Sequence, residues 1–262
     1  MFLNRQVKLT VGDTTIDALD IAFEINKSLK PAPNTACISI FNLNPKNRAY
    51  LSEQKHIPVE LEAGYAHNLA LIFKGDLVFC KNEPVGSDIK TTLISGDGNK
   101  ALRDCECNQN FEAGTSVCNI ALALTKCLNI STADAERQIK KHVTGAIPKA
   151  TCINGHALKA LEKLLAGQRL ETSIQDGALQ VLPKGQALQH EAVVLNADTG
   201  LLQGPVHPDT KQINIKTLLL PTLYPGRLIS IAGNLYRIET MQLDGDSFGG
   251  GWCAEIGAII VI

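Results

Sequence analysis

Two stretches of the chain, one near each end, repeat the same strand-and-turn device, and internal repetition constrains architecture before any single motif does. The first runs Cys37-Ile-Ser-Ile-Phe-Asn-Leu-Asn-Pro45, Ile57-Pro-Val-Glu-Leu-Glu-Ala-Gly-Tyr65, Leu71-Ile-Phe-Lys-Gly-Asp-Leu-Val-Phe79 and Lys90-Thr-Thr-Leu-Ile-Ser-Gly96. The second runs Ile213-Asn-Ile-Lys-Thr-Leu-Leu-Leu-Pro221, Tyr224-Pro-Gly-Arg-Leu-Ile-Ser-Ile-Ala-Gly233, Leu235-Tyr-Arg-Ile-Glu-Thr-Met-Gln-Leu243 and Gly251-Trp-Cys-Ala-Glu-Ile-Gly257. In each, a strand halts at proline, a second opens after another proline and closes on glycine, and a long hairpin follows. A β unit present twice per chain lets three chains present six similar units.

The rest of the pattern divides the chain in three. Residues 1–98 are short strands: Val7–Val11, Asp20–Ile25 and Cys37–Leu43 alternate apolar and polar, so each buries one face. Pro31 and Pro33 mark a corner at Lys30–Asn34, a place where insertion is expected to hinder assembly more than folding. Residues 99–183 change period. A helix is expected at Ser116–Leu128, with Val117, Ile120, Ala121, Leu124 and Leu128 on one side. Ser131-Thr-Ala-Asp134 reads as a capping box for a second helix reaching Val143. A third is capped by Asn154, carries the stripe Leu158, Leu161, Leu164 and Leu165, and stops at Gly167. Arg169–Ile174 and Ala178–Leu182 then flank Gln175-Asp-Gly177, a hairpin signal. From 184 to 262 the chain is again all strand, and Trp252 is expected to plug the core. The fold class is therefore α+β, mainly β: two similar antiparallel β-barrel domains, 1–98 and 184–262, flanking a small α/β domain, 99–183.

Composition removes several functions. Lys+Arg total 25 against Asp+Glu 26, and the balance is 10 to 11 over residues 1–98, 10 to 8 over 99–183 and 5 to 7 over 184–262, so no segment is a basic nucleic-acid footprint. The alternating start Met1–Thr10 reads as a strand and not an export signal, and no run approaches the roughly 18 apolar residues of a membrane span, so synthesis in a cytoplasm is expected. The eight cysteines are then reduced; Cys105, Cys107, Cys118, Cys127 and Cys152 crowd the middle third and read as buried free thiols. A zinc site is the sharper alternative, with Cys105 and Cys107 joined by His142, Cys152 or His156, although the spacing departs from Cys-x-x-Cys knuckles. Asp97-Gly98 and Asp244-Gly-Asp246 read as turn formers between strands and not as calcium loops. His190-Glu191 lacks the second histidine of a zinc protease helix, and neither a nucleophile elbow nor a phosphate loop nor a dinucleotide fingerprint occurs. No catalytic, cofactor-binding or metal-ligating residue is assigned.

The residues carry a family resemblance as well. Phe23-Glu-Ile-Asn-Lys-Ser-Leu-Lys-Pro-Ala-Pro-Asn-Thr-Ala36, Ile40–Pro45, Ala63-Gly-Tyr65 and Phe73-Lys-Gly-Asp76 resemble the opening barrel of the baseplate hub proteins of contractile-tailed bacteriophages. Leu218–Gly226, Tyr236-Arg-Ile238 and Leu243–Asp246 with Trp252 resemble their second barrel, and Leu158–Val181 their interposed α/β domain. The resemblance implies a homotrimer whose six barrels form a pseudo-sixfold ring joining a hexameric tail tube to a trimeric spike. Its channel would pass the tape-measure protein and DNA without specific binding, and its other partners would be further baseplate proteins, with no membrane. The implied location is the virion tail baseplate, assembled in the host cytoplasm. No cell-wall activity is expected. Two alternatives stay open: a hub or tip protein of a phage-like bacteriocin or secretion machine, and a β-rich hydrolase.

Overall fold

The computed structural model describes residues 4–66, 68–98, 104–188, 191–205 and 211–261. His190 of the His190-Glu191 pair lies outside them. The first part contains β1 (Arg5–Val11), β2 (Thr14–Ile16), β3 (Ile21–Ser28), β4 (Thr35–Phe41), α1 (Pro45–Glu53), β5 (Pro58–Tyr65), β6 (Asn68–Val85) and β7 (Asp88–Gly96). The middle adds β8 (Glu106–Phe111), α2 (Val117–Thr125), α3 (Ala133–His142), β9 (Thr151–His156), α4 (Ala157–Ala166), β10 (Leu170–Gln175) and β11 (Ala178–Pro183). The last part holds β12 (Val193–Val194), β13 (Leu201–Gln203), β14 (Gln212–Leu218), β15 (Leu228–Ile231), β16 (Asn234–Asp246) and β17 (Trp252–Ile260).

The duplicated pattern folds into a duplicated topology. The first unit pairs its strands in the order β4-β7-β6-β5 and the second in the order β14-β17-β16-β15. The flanks correspond too: β3 lies beside β4 as β13 lies beside β14, and β1 beside β5 as β12 lies beside β15, the last pair being parallel where the first is antiparallel. Even the irregularities match. β6 shifts register against β7 at Val78, and β16 shifts against β17 at Glu239. A bulge at that point bends the longest strand of each unit and strengthens its twist.

The two units share one sheet. β3 of the first pairs with β16 of the second from Ala22 opposite Asp246 to Ser28 opposite Thr240. The strand path runs from β13 to β2 without returning on itself, a single thirteen-stranded sheet, so the described pairing does not by itself close two barrels. One apolar core underlies the whole sheet, from Val7 and Leu9 to Ile256 and Ala258. The seam between units is tight: a methyl group on Gly245 would meet the ring of Phe23, its partner across the strands, at 2.1 Å. Trp252 is buried as expected, edge-on to Phe23 at 5.9 Å and to Tyr65 at 6.3 Å, with the Arg5 guanidinium 5.4 Å over its ring.

The α/β part has its own core, in which Val117, Ile120, Ala121 and Leu124 of α2 meet Leu158, Leu161 and Leu165 of α4. Three local expectations are corrected. Asn154 does not cap a helix: it lies in β9 opposite Asn108, and the cap position of α4 is His156. The helix does stop at Gly167, which takes the C-cap position in right-handed conformation, and Arg169 supplies the left-handed residue of the turn that follows. Asp134 closes no capping box, because α3 is capped at Thr132, whose hydroxyl donates to Glu136 at 2.9 Å. Asp244 and Asp246 lie within β16, and the turn begins only at Ser247. Asp97-Gly98 does form a turn, with Gly98 at φ +70°. No helix among the described residues is long and apolar enough to cross a membrane.

Candidate functional site

The strand register defines the faces of the sheet and the joints between its parts. The inward positions of β3 are Ile21, Phe23, Ile25 and Lys27; the outward ones are Ala22, Glu24 and Asn26. Following the ladders sideways from Asn26 gives one outward row, Lys216–Glu255–Gln242–Asn26–Thr35. The next row, from Glu24, reads Cys253–Asp244–Glu24–Cys37–Ile94–Phe79. The first row is polar throughout, and the second carries the Asp244 and Glu24 carboxylates beside two thiols, Ile94 and Phe79. Asn26 donates to Glu24 at 3.0 Å, Gln242 to Asp244 at 3.3 Å, and Lys216 pairs with Glu255 at 3.1 Å. This face is concave beside β13, where Gln203, Asn214, Gln242 and Asn26 line an open groove of about 620 Å³.

The α/β part is fixed to the sheet by the β10–β11 hairpin, at its tip and at its base. The tip is the Asp-Gly turn foreseen from sequence, with φ +53° at Asp176 and +78° at Gly177, a pair of left-handed residues that such two-residue turns demand. It covers the end of the core where Lys27, in an inward position, brings a charge. The Lys27 ammonium donates to both carboxylate oxygens of Asp176 at 2.7 Å. Asp97, fully buried, accepts from the Asp176 amide at 2.6 Å and the Gly177 amide at 3.0 Å. Asn34 adds two bonds, to the Ile174 carbonyl at 2.8 Å and the Gln175 side chain at 3.0 Å, while its own carbonyl accepts from the Ser28 amide at 2.9 Å. The Pro31–Asn34 corner therefore faces the α/β part of its own chain, Pro31 and Pro33 lining a small cleft with Leu158 and Glu162, so an insertion there strikes folding directly.

At the hairpin base a second buried cation ties the hairpin to the second β unit. Arg237 of β16 bonds Glu171 of β10, Glu239 and the Gln186 carbonyl, the last at 2.9 Å. Both cations satisfy the requirement that a buried charge be paired and hydrogen-bonded.

Burial, followed by repulsion from the Asp176 carboxylate, raises the Asp97 acid to about 6; the Gly177 amide, Lys27 and the Asp176 amide oppose the rise. A carboxyl whose folded pKa lies above its unfolded value near 3.9 contributes stability that is complete below the unfolded value and lost as pH rises through the folded one. The junction should therefore strengthen by up to about 3 kcal/mol between pH 8 and pH 4 from this group. Urea denaturation of the wild type and of Asp97→Asn across that range checks it: the variant should lose this part of the slope.

The cysteines are all free, and only Cys105 and Cys107 are buried, whereas Cys118 and Cys127 are half-buried and Cys152 is exposed. Burial and the neighbouring Cys127 thiol push the Cys107 thiol up to about 11, away from the thiolate a metal needs. The set Cys105, Cys107, His142, Cys152 and His156 is not brought together, and no group of three or more His, Cys, Asp or Glu among the described residues is placed to hold a metal ion. Cys105 sulfur instead accepts from the Asn129 amide at 3.5 Å. The two junction cations were not foreseen from sequence. Lys27 could have been found, being a charge on the apolar side of an alternating strand.

Known proteins agree with this architecture. The sequence model described as baseplate hub gp41 matches residues 5–235. No curated protein sequence matches the chain. Among solved structures, the 43 kDa tail protein of prophage MuSo2 from Shewanella oneidensis superposes with a TM-score of 0.67 at 10% identity, covering 97% of this chain and 98% of that one. A tail protein from Neisseria meningitidis MC58 gives 0.64 at 12% identity, covering 98% and 96%. The E. coli protein c3393, a component of the type VI secretion system, gives 0.64 at 12% identity, covering 96% and 76%. These likenesses carry the fold, and the family match over most of the length carries the role: the chain belongs to the baseplate hub gp41 family, structural proteins of the phage tail and not enzymes.

Proposed function

We propose that three copies of this chain form a pseudo-sixfold ring that joins a hexameric tail tube to a trimeric spike. The observation that carries the reading is the repeated strand order within one sheet, β4-β7-β6-β5 and β14-β17-β16-β15, which gives each chain two similar units and three chains six. In this reading the units become barrel walls in the assembled ring, residues 1–98 and 184–262 build it, and residues 99–183 sit outside it. The polar outer face of β3, β4, β14, β16 and β17 lines the channel. It carries Glu24, Asp244 and Glu255 against Lys216, so passing DNA would meet no cationic stripe to retain it by counterion release. The tape-measure protein would occupy the same channel, and assembly would take place in the host cytoplasm with tube, spike and further baseplate proteins.

A second reading, the hub of a secretion machine or phage-like bacteriocin, draws on the likeness to the type VI component and keeps the same geometry without DNA. The test is to mix the purified chain with the tube and spike proteins of its genome and image the product in negative stain. Rings of threefold outline capping the tube end, with a stain-filled lumen, are expected. Attachment to the tube wall, or a closed disc without a lumen, would contradict the adapter.

A further inference from the structure

Five of the eight cysteines lie in the α/β part, and two of them, carried by different elements, meet. Cys107, Gln109 and Phe111 hold alternate positions of β8 and face the α/β core. The chain that leaves α2 passes along this face. The Gln109 amide donates to the Cys127 sulfur at 3.9 Å, and two positions before Cys107 the Asn129 amide donates to the Cys105 sulfur at 3.5 Å. Residues 127–129 therefore run antiparallel to β8, with Cys107 between the two contacts. The Cys107 thiol completes the line by donating to the Cys127 sulfur, whose own proton goes to the Ala123 carbonyl at 3.5 Å.

Position excludes the other thiols of the α/β part as partners. Cys105 precedes Cys107 by two residues of extended chain, roughly 7 Å, beyond the Cβ separation that a disulfide accepts. Cys152 stands in β9 opposite Asn110, on the outward face of the β8–β9 ribbon. Cys118 lies in the first turn of α2, roughly 12 Å along the axis from the helix end that leads to Cys127. The two sulfurs that do meet differ in access and acidity. Cys127 is half-buried, whereas Cys107 is 3% exposed and burial pushes its thiol up to about 11. Cys127 is thus the thiol that meets a reagent first, and Cys107 the one that resolves the product.

We propose that Cys107 and Cys127 are a modification site, closing to a disulfide when the protein meets an oxidised low-molecular-weight disulfide of the glutathione type. The Cys127 thiolate attacks one sulfur of the reagent, whose S–S bond breaks and releases one thiolate. The Cys107 sulfur then attacks the Cys127 sulfur of the mixed disulfide and displaces the second. The two protons given up by the cysteines go to the two released thiolates, so the protein loses two hydrogens and the reagent is reduced to two thiols. The new bond ties β8 to the end of α2 and closes a loop of about 20 residues, which restricts the unfolded chain. In a reducing compartment the pair stays as thiols, and outside one it staples the α/β part. The bond lies within one α/β part, so the site stands whether or not the ring does.

The test incubates the folded full-length chain with oxidised glutathione, denatures it, alkylates the remaining thiols with iodoacetamide and maps the products by mass spectrometry without reduction. A link between Cys107 and Cys127 is expected, with fragmentation separating Cys107 from Cys105 and Cys118. A thiol reductant should reverse it, and the linked chain should melt roughly 5 °C above the reduced one. Cys127→Ser, at a half-buried position, should keep the circular dichroism of the wild type and lose both the link and the rise. Exposed Cys37 and Cys152 should end as glutathione adducts and show that the reagent has acted. Adducts at those two with Cys107 and Cys127 both alkylated overturn the proposal. So does a glutathione adduct that persists on Cys127, or a link from either residue to a different cysteine.

Discussion

Arg237→Ala should lower the thermal midpoint of the purified chain by roughly 10 °C, a loss of about 3–5 kcal/mol. The guanidinium is almost fully buried and bonds two carboxylates and a backbone carbonyl drawn from three segments. Its removal leaves Glu171 and Glu239 facing each other without a cation and opens a void against β16. Double substitution with Glu171→Gln should recover part of the loss, because one of the orphaned charges goes with it. Calorimetry of the single and double variants checks both statements. A midpoint within 2 °C of wild type for the single variant would mean that the hairpin base contributes little to the native state.

Lys27→Met is expected to be similarly costly at pH 8, about 3–5 kcal/mol, and to reveal what the hairpin tip does. Methionine keeps most of the apolar stem and removes the ammonium, so the packing of the inward row is largely retained while Asp97 and Asp176 lose their shared cation. With the cation gone, the carboxylates repel each other at one buried point, and protonation relieves that repulsion. The variant should therefore regain stability as pH falls from 8 toward 5, more steeply than the wild type. The groups facing this point are Asp176 from the hairpin, Lys27 from β3 and the Lys74 amide from β6, the Lys74 ammonium itself being engaged by Glu60 at 2.6 Å. An acid-independent loss would show that missing packing, not unpaired charge, is the cost.

Local chemistry made much of this fold readable. The repeated proline and glycine punctuation located the strands of both β units, the spacing of Val117, Ile120 and Leu124 located α2, and Gln175-Asp-Gly177 located the hairpin that clamps the parts together. α1 escaped because it carries no apolar stripe: Leu51 is its single buried side chain, and its only signals are the capping Asn44 side chain and Pro45 in the first turn. β9 was mistaken for a helix cap at Asn154 because asparagine serves both uses, and pairing with β8 decided between them. The junction of β3 with β16 joins residues more than two hundred positions apart, and neither strand announces its partner. Lys27 was visible as a charge in an inward apolar row beside Ile25, whereas Arg237 stands on the face opposite Tyr236 and Ile238, and the acidic partners Asp176 and Glu171 come from the distant hairpin.

This division explains how a near-neutral chain can be highly specified by its polar groups. The polar groups that sequence reading usually assigns to chemistry are here used to join parts: Asp97, Asp176 and Lys27 at the hairpin tip, Glu171 and Arg237 at its base. A rigid joint between the α/β part and the sheet suits the proposed role of holding two partners of different symmetry in fixed relation.

The mass of the purified chain in solution, measured by multi-angle light scattering alone and with the spike protein of the same genome, tests the central claim most directly. Three copies per particle in at least one of the two samples is the expected result. A single copy per particle in both would contradict the ring.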